Sequence, residues 1–205
     1  MRLYFYDLDG TLNKLNNTYD FIEKYHQWKK NIIRLYFSRL FSYLLNLLPV
    51  NFYVKRKISI MFYFFGENIK DLEKFYFKKY RKIFFKNLTF LGNKIYLNRN
   101  KKYRKNFFLV TGCTEIPAKY IAKDLGFKRE QVFFTKFKIS NGKVVGIVID
   151  SFGERKKIFI NNLKNKKNKK NKFIYFTDDL ENEKNLFNYF DEVYYINGEK
   201  CVKIK

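Results

Sequence analysis

An apolar run, Leu3-Tyr4-Phe5-Tyr6, stops abruptly at two carboxylates in Asp7-Leu8-Asp9-Gly10-Thr11-Leu12. An uninterrupted apolar run of this length reads as a buried strand. Side chains two apart in an extended chain point the same way, so Asp7 and Asp9 can address one spot beyond the strand's end. Gly10 lets the chain turn sharply there and bring backbone N–H groups close to a ligand. Two acids at one site repel and desolvate each other unless a cation lies between them. A strand that ends this way opens onto a polar edge that calls for a cation.

The rest of the chain alternates around that strand. From about Asn13 to Phe85 the pattern is helical with almost no turn residues. Phe21, Ile22, Tyr25, Trp28, Ile32 and Leu35 fall at helical spacing, as do Leu40, Leu44, Leu47 and Leu48, and Pro49 is a natural stop. A second helix is expected over Val54 to Phe65, ended by Gly66, and a third over Ile69 to Phe85. Strands are then expected at Phe107–Val110, at Val132–Ile139 and Val144–Ile149 around the hairpin pair Asn141-Gly142, at Phe173–Phe176 and, last, at Val193–Ile196. Helices are expected over Glu115–Leu125, Lys156–Lys164 and Glu183–Phe190, and an exposed loop over the Lys/Asn run from Lys164 to Lys172. Strands interleaved with helices predict an α/β chain with a mostly parallel sheet, whose ligands bind at the carboxyl ends of the strands.

Composition narrows the function classes. With 46% hydrophobic residues the 205-residue chain can bury a core of its own. Its net charge of +24 attracts anions, from phosphorylated metabolites to acidic lipid headgroups or nucleic acid. Lys, Asn, Phe, Tyr and Ile are enriched together, as in a nucleotide-biased genome, so any single Lys reads as a solvated one. No recognition motif accompanies the charge, and no specific nucleic-acid partner is expected. Cys113 and Cys201 make neither a disulfide framework nor a metal knuckle. The lone histidine, His26, excludes a zinc cluster and is expected at the surface or in the helical stretch. No signal peptide precedes the first strand, which predicts a cytoplasmic protein. The longest apolar stretch, Ile32 to Val50, is interrupted by Arg34 and Arg39 and diluted by Ser38, Ser42 and Asn46. It is a poor spanning helix and a fair amphipathic or core helix.

Three later motifs fall where strands should end. Phe108-Leu109-Val110 leads into Thr111-Gly112-Cys113-Thr114, a hydroxyl and a glycine N–H ahead of a helix N-terminus, suited to an anion. Gly153-Glu154-Arg155-Lys156-Lys157 opens a helix with a Lys that can reach over the sheet. Phe173–Phe176 runs into Thr177-Asp178-Asp179-Leu180-Glu181-Asn182, a second acidic strand end of the kind that suits magnesium.

In order, these blocks are strand-DxDGT, helical stretch, strand-T-G, G-x-x-K and strand-DDxxxN. The series resembles the haloacid dehalogenase superfamily, in its phosphoserine phosphatase-like branch. Within that branch, the aromatic- and Leu-rich stretch after the first motif is similar to the phosphatidylglycerophosphatase C family. The resemblance implies a Rossmann-like, mostly parallel sheet with helices on both faces and a helical cap inserted after the first strand. Residues 1–12 and 86–205 would form the catalytic core and 13–85 the cap. It implies a magnesium-dependent phosphomonoester phosphatase. Asp7 would be the nucleophile that forms an aspartyl-phosphate, and Asp9 the acid and then the base. Asp7, Asp9 through its backbone carbonyl, and Asp178 would hold Mg2+. Thr111, Gly112 and Lys156 would hold the phosphoryl oxygens.

Three positions depart from the family pattern. Thr177 stands where Gly is usual, Asp179 where a small hydroxyl is common, and Asn182 where a second Asp is usual. Asn182 could orient water or the lysine in a supporting role; Glu183 could take the place if the loop register shifts, and Lys157 is the alternative to Lys156. The cap sets the substrate in this architecture. Leu35, Phe37, Leu40, Phe41, Leu44, Leu45, Phe62, Phe64 and Phe65 could face a membrane beside Arg34, Arg39, Lys55, Arg56 and Lys57, or could pack the cap onto itself. The first reading implies a lipid phosphate such as phosphatidylglycerophosphate and peripheral contact with the inner, anionic membrane face. The second leaves a soluble phosphorylated small molecule, phosphoserine or a phosphosugar. A non-catalytic binding protein is the further alternative, on account of Asn182.

Overall fold

The computed structural model describes residues 1–100, 105–166 and 171–205. Seven strands form one sheet in the order β4-β3-β2-β1-β5-β6-β7. β1 (Arg2–Tyr6) runs at the centre, parallel to β2 (Phe107–Thr114) on one side and to β5 (Lys172–Thr177) on the other. β3 (Val132–Ser140) and β6 (Glu192–Asn197) extend the parallel array, and antiparallel strands β4 (Lys143–Ile149) and β7 (Lys200–Lys203) close its edges. The β3–β4 turn is made by Asn141 and Gly142, both at positive φ, 48° and 72°, as a two-residue hairpin demands. β7 was not expected. Its four residues are all exposed, and an exposed edge strand carries no apolar alternation to announce it.

The strand period of two sorts the aromatic residues into two cores. Leu3 and Phe5 face one side, packed with Ile160, Leu186 and Phe190. Tyr6 and the residues beyond it join the larger core shared with the helical insertion. Phe5 stacks between Phe108, at 5.0 Å, and Phe173, at 5.3 Å, on the two flanking strands. On the other face Tyr6 stacks on Phe176 at 4.9 Å, and Phe176 on Tyr194 at 5.0 Å. Rows of cross-strand rings account for part of the chain's aromatic enrichment and stabilise the sheet's centre, each pair by roughly 1 kcal/mol beyond its area burial.

Between β1 and β2 lies an all-helical segment: α1 (Asn17–Trp28), α2 (Ile32–Leu47), α3 (Phe52–Phe64), α4 (Ile69–Phe75), α5 (Arg81–Lys86) and α6 (Phe90–Leu97). The first predicted helix breaks in two where Lys30 turns to φ 56° and Asn31 caps α2. A π-helical turn, Tyr76–Tyr80, joins α4 to α5 and brings Tyr76 and Tyr80 both inward, where their hydroxyls reach Asp124 at 2.8 Å and Asn17 at 3.2 Å. α6 is an addition to the sequence reading. Thr89 caps it, and the Thr89 hydroxyl also donates to the Thr11 carbonyl at 2.7 Å, so this helix braces the loop after β1. His26 is fully buried in α1 with its Nε2 3.0 Å from the Tyr63 carbonyl, rather than at the surface.

The apolar positions of the insertion divide. Leu35, Leu45 and Phe64 are buried, and Phe41 stacks on Phe62 at 3.7 Å. Phe37, Leu40, Leu44, Phe62 and Phe65 are exposed, so self-packing accounts for less than half of them.

On the far side, α7 (Glu115–Asp124) follows β2 directly. The helix expected from Lys156 begins as a 3-10 turn, Gly153–Lys156, and continues as α8 (Lys157–Lys166). The helix expected over Glu183–Phe190 is a 3-10 helix, Lys184–Tyr189. Residues 167–170 of the Lys/Asn run expected as a loop lie outside the described residues. Among the described residues no helix is long and apolar enough to cross a membrane.

Candidate active site

Parallel pairing puts the carboxyl ends of β1, β2 and β5 on one edge of the sheet, and every sequence motif gathers there. Asp7 begins the site. Its N–H donates to the Phe176 carbonyl at 3.0 Å, which continues the β1–β5 pairing by one residue. Its Oδ1 accepts from the Leu8 N–H at 2.7 Å and lies 2.9 Å from the Lys156 ammonium.

Lys156 is 1% exposed, whereas Lys157 points to solvent, so the geometry selects the first of the two lysines. Its ammonium also pairs with Glu183 Oε1 and donates to the Tyr175 hydroxyl at 3.1 Å. Burial pulls the Lys156 pKa down, but the Asp7 and Glu183 carboxylates outweigh it, and the ammonium stays charged above its ordinary range. The second Glu183 oxygen accepts from Tyr175 and from Thr177, each at 2.6 Å. Two departures from the family pattern thus explain each other. Thr177 supplies a hydroxyl where Gly is usual, and that hydroxyl fixes a buried glutamate one residue beyond Asn182. Asn182 itself turns away: its side-chain amide donates to both Asp179 oxygens, at 3.1 and 2.9 Å. Glu183, not Asn182, orients the lysine.

Asp9 and Asp178 complete the acidic edge. Asp9 Oδ1 accepts from the Asn17 backbone N–H at 3.0 Å and from its side-chain amide at 2.7 Å, at the start of α1. Desolvation, then the Asp7 charge, push Asp9 up to about 7 against those bonds. Asp178 Oδ1 accepts from the Thr11 hydroxyl at 3.0 Å, and desolvation followed by the Asp7 charge raises it to about 6. Gly10 explains the close fit of the two acidic loops. Its φ is +69°, and a Cβ there would fall 1.8 Å from Asp178 Oδ2. Gly10→Ala should therefore displace Asp178 and cost roughly 2 kcal/mol of stability from backbone strain and crowding. Urea unfolding beside the unmodified protein measures it, and an unchanged midpoint would contradict the crowding.

β2 continues through the Thr-Gly pair as far as Thr114, four residues past the strand end expected at Val110. Thr111 and Gly112 are both buried at the sheet edge. The Thr111 hydroxyl accepts from the Cys113 N–H at 3.0 Å, and its carbonyl accepts from Ser151 at 2.6 Å. Gly112 needs its missing side chain, because a Cβ would lie 2.7 Å from the Phe152 ring.

Sequence reasoning missed Arg56, which it grouped with surface basic residues. Arg56 is buried on the inner side of α3. Its guanidinium donates to the Gly112 carbonyl at 2.6 Å, lies 3.3 Å from Asp150, and stacks over Phe152 at 4.2 Å. It thus ties the insertion to the end of β2, and its charge opposes the upward shift of Asp9. The available signal was spacing: Arg56, Ile60 and Tyr63 recur at i, i+4 and i+7 on the buried face of α3.

Among the described residues no three Asp, Glu, His or Cys side chains form a ready cage for a metal ion. The donor set nonetheless fits magnesium, which takes one or two carboxylates and completes its shell with carbonyl oxygen and water. Asp7 and Asp178 would supply the carboxylates; desolvation first and the Asp7 charge second raise Asp178, and a cation would relieve the repulsion between the two.

No family model matches the chain, and no curated protein sequence does. Solved structures share its fold. A Bordetella pertussis Tohama I protein of unknown function matches with TM-score 0.69 at 17% identity, over 94% of this chain and 88% of that one. A phosphoserine phosphohydrolase-like protein from Francisella tularensis subsp. tularensis SCHU S4 matches with TM-score 0.61 at 16% identity, over 94% and 86%. A phospho-aspartyl intermediate analogue of phosphoserine phosphatase matches with TM-score 0.59 at 15% identity, over 93% and 84%. What these structures share with the chain is the fold, a mostly parallel α/β sheet with a helical segment inserted after β1.

Proposed function

We propose that this protein is a magnesium-dependent phosphomonoester phosphatase working through an aspartyl-phosphate. The observation that carries the reading is the buried Asp7–Lys156–Glu183 arrangement beside Asp9 and Asp178 at one sheet edge. Both hydrogen-bonding contacts at Asp7 fall on Oδ1, which leaves Oδ2 to attack phosphorus. The phosphate-to-alcohol bond breaks as the Asp7–phosphate bond forms. Asp9, with a pKa near neutrality, carries the proton that the departing alkoxide needs. As carboxylate it then takes a proton from the water that cleaves the acyl phosphate and regenerates Asp7. Lys156, paired with Asp7, would balance the growing charge, and Thr111 and the Gly112 N–H, at the end of β2, would bind phosphoryl oxygens. Magnesium, held by Asp7, Asp178 and the Asp9 carbonyl, would supply positive charge that lets an anionic nucleophile approach an anionic phosphate.

The substrate proposed is a small soluble phosphomonoester, the reading that the phosphoserine phosphatase neighbours support. A lipid phosphate is the second reading, favoured by the exposed apolar residues of α2. Turnover of p-nitrophenyl phosphate, phosphoserine and phosphatidylglycerophosphate with magnesium, each repeated with chelator, tests both. Absence of magnesium-dependent turnover on all three would sink the phosphatase reading.

The assignment of Asp9 predicts a leaving-group dependence. Asp9→Asn should lower kcat on an alkyl phosphate by roughly 10²-fold or more, and lower it much less on p-nitrophenyl phosphate, whose phenolate needs no proton to depart. Equal losses on both substrates would remove Asp9 from the acid role.

A further inference from the structure

The α2–α3 hairpin is built inside out. The residues that α2 buries are Leu35, Ser38 and Leu45, and across the seam the Ser42 hydroxyl meets that of Ser59 at 2.6 Å. Its outward side carries Ile33, Tyr36, Phe37, Leu40, Tyr43 and Leu47, each between 47% and 74% exposed. These residues recur at three- and four-residue steps, so they form one unbroken stripe along the 16-residue helix. A water-facing helix puts its apolar stripe inward. Small hydroxyl residues between helices and apolar residues outside is the arrangement of helices whose solvent is lipid. At 16 residues α2 is shorter than the roughly 20 that a spanning helix needs, so a lipid-facing stripe on it lies in the membrane interface.

Two further observations specify the occupant. A groove of about 610 Å³ runs between α2 and α3, walled by Phe37, Met61, Phe62 and Phe65, with Arg34 and Lys57 also lining it. Ser38 borders the groove too; it is 1% exposed, and its hydroxyl has no hydrogen-bond partner among the described residues. An apolar trough beside cations suits an acyl chain below an anionic headgroup. From Lys24 to Gly66 the chain contains eight Lys or Arg and no Asp or Glu. Arg34 and Arg39 find acids elsewhere, in Glu67 and Glu23, while Lys30, Lys55 and Lys57 have no acidic partner among the described residues. A second copy would set like charge against like. An anionic lipid surface attracts these cations by about 1 kcal/mol each.

We propose that the outer face of the α2–α3 hairpin docks into the surface of an anionic phospholipid bilayer, with the groove receiving an acyl chain. The docking does not depend on the reaction proposed above. The experiment is co-sedimentation of the full chain with phosphatidylcholine vesicles with and without phosphatidylglycerol, at low and at high salt. The variant is Ile33→Ser/Leu40→Ser/Leu44→Ser/Leu47→Ser, whose positions are all exposed, so its thermal melt should match the unmodified protein. A chain of this charge adsorbs to anionic vesicles without any docking face, but high salt shortens the screening length to roughly 3 Å at 1 M and removes that adsorption. Expected is binding to phosphatidylglycerol vesicles that persists in part at high salt, and a loss of roughly tenfold or more in partitioning for the variant. Lys78→Gln/Lys79→Gln, on the π turn away from the hairpin, should leave the high-salt binding unchanged. Equal partitioning of variant and unmodified protein overturns the proposal, as does equal binding at low salt to vesicles with and without phosphatidylglycerol. A dimer that the four substitutions dissociate, without vesicle binding, also overturns it. Turnover of p-nitrophenyl phosphate in free solution is read separately, so failure of docking and failure of the phosphatase reading are distinguishable.

Discussion

Asp7→Asn should abolish magnesium-dependent hydrolysis of p-nitrophenyl phosphate, by roughly 10³-fold or more in kcat, while the protein stays folded. The amide keeps the shape of the carboxylate and can still accept from the Leu8 N–H, but it is a poor nucleophile for phosphorus. Lys156 retains Glu183 and Tyr175 as partners, so no buried charge is left bare. Steady-state kinetics with a thermal melt as control decides the matter. A variant that kept a tenth of the activity would show that phosphate is not transferred to Asp7. A variant that lost activity only because it unfolded would show that the Asp7–Lys156 contact is chiefly structural.

The second large effect belongs to Lys156. Lys156→Met should lose activity to a similar degree and also lose about 3 kcal/mol of stability near neutral pH, because removing one member of a buried ion pair leaves its partner uncompensated. The partners left are Asp7 and Glu183, with Glu183 2% exposed. The sign of the pH dependence follows. Burial already pushes Glu183 up to about 7 despite the pull of Lys156, and without that pull it rises further. A carboxyl with a raised folded-state pKa costs stability only where the unfolded chain ionises it, which is above the ordinary glutamate value near 4.5. The deficit of Lys156→Met should therefore be small near pH 4.5 and grow as pH rises through 7. Urea midpoints for both proteins across that range measure it. A deficit that stayed constant, or grew toward acid, would place the lysine's contribution in packing rather than in charge.

Thr177 and Glu183 show why such a site is only partly legible from the chain. Read alone, Thr177 replaces a glycine and Asn182 replaces an acid, and both look like losses. In three dimensions the Thr177 hydroxyl, the Tyr175 hydroxyl and the Lys156 ammonium converge on one buried glutamate. No spacing rule encodes that convergence, because it joins strand β5, the 3-10 turn that ends at Lys156 and the loop that follows β5. Arg56 was hidden for a related reason. A cation between two other basic residues looks solvated, and only the buried side of α3 reveals that it reaches Gly112 and Asp150.

Local pattern determined a good deal. The strand ending at Asp7, the parallel α/β alternation, the Asn141-Gly142 hairpin and the helical insertion all rest on hydrophobic period and turn chemistry, which act between near neighbours. The same pattern placed two acidic strand ends where a cation and a phosphate could meet. Tertiary structure decided what period cannot: which of two adjacent lysines is buried, that a glutamate beyond the expected position holds it, and that β7 closes the edge. It also decided which way the apolar side of α2 faces. The stripe's spacing is the same whether it looks inward or outward, and the choice belongs to the serine seam against α3, a contact between helices that no single helix records.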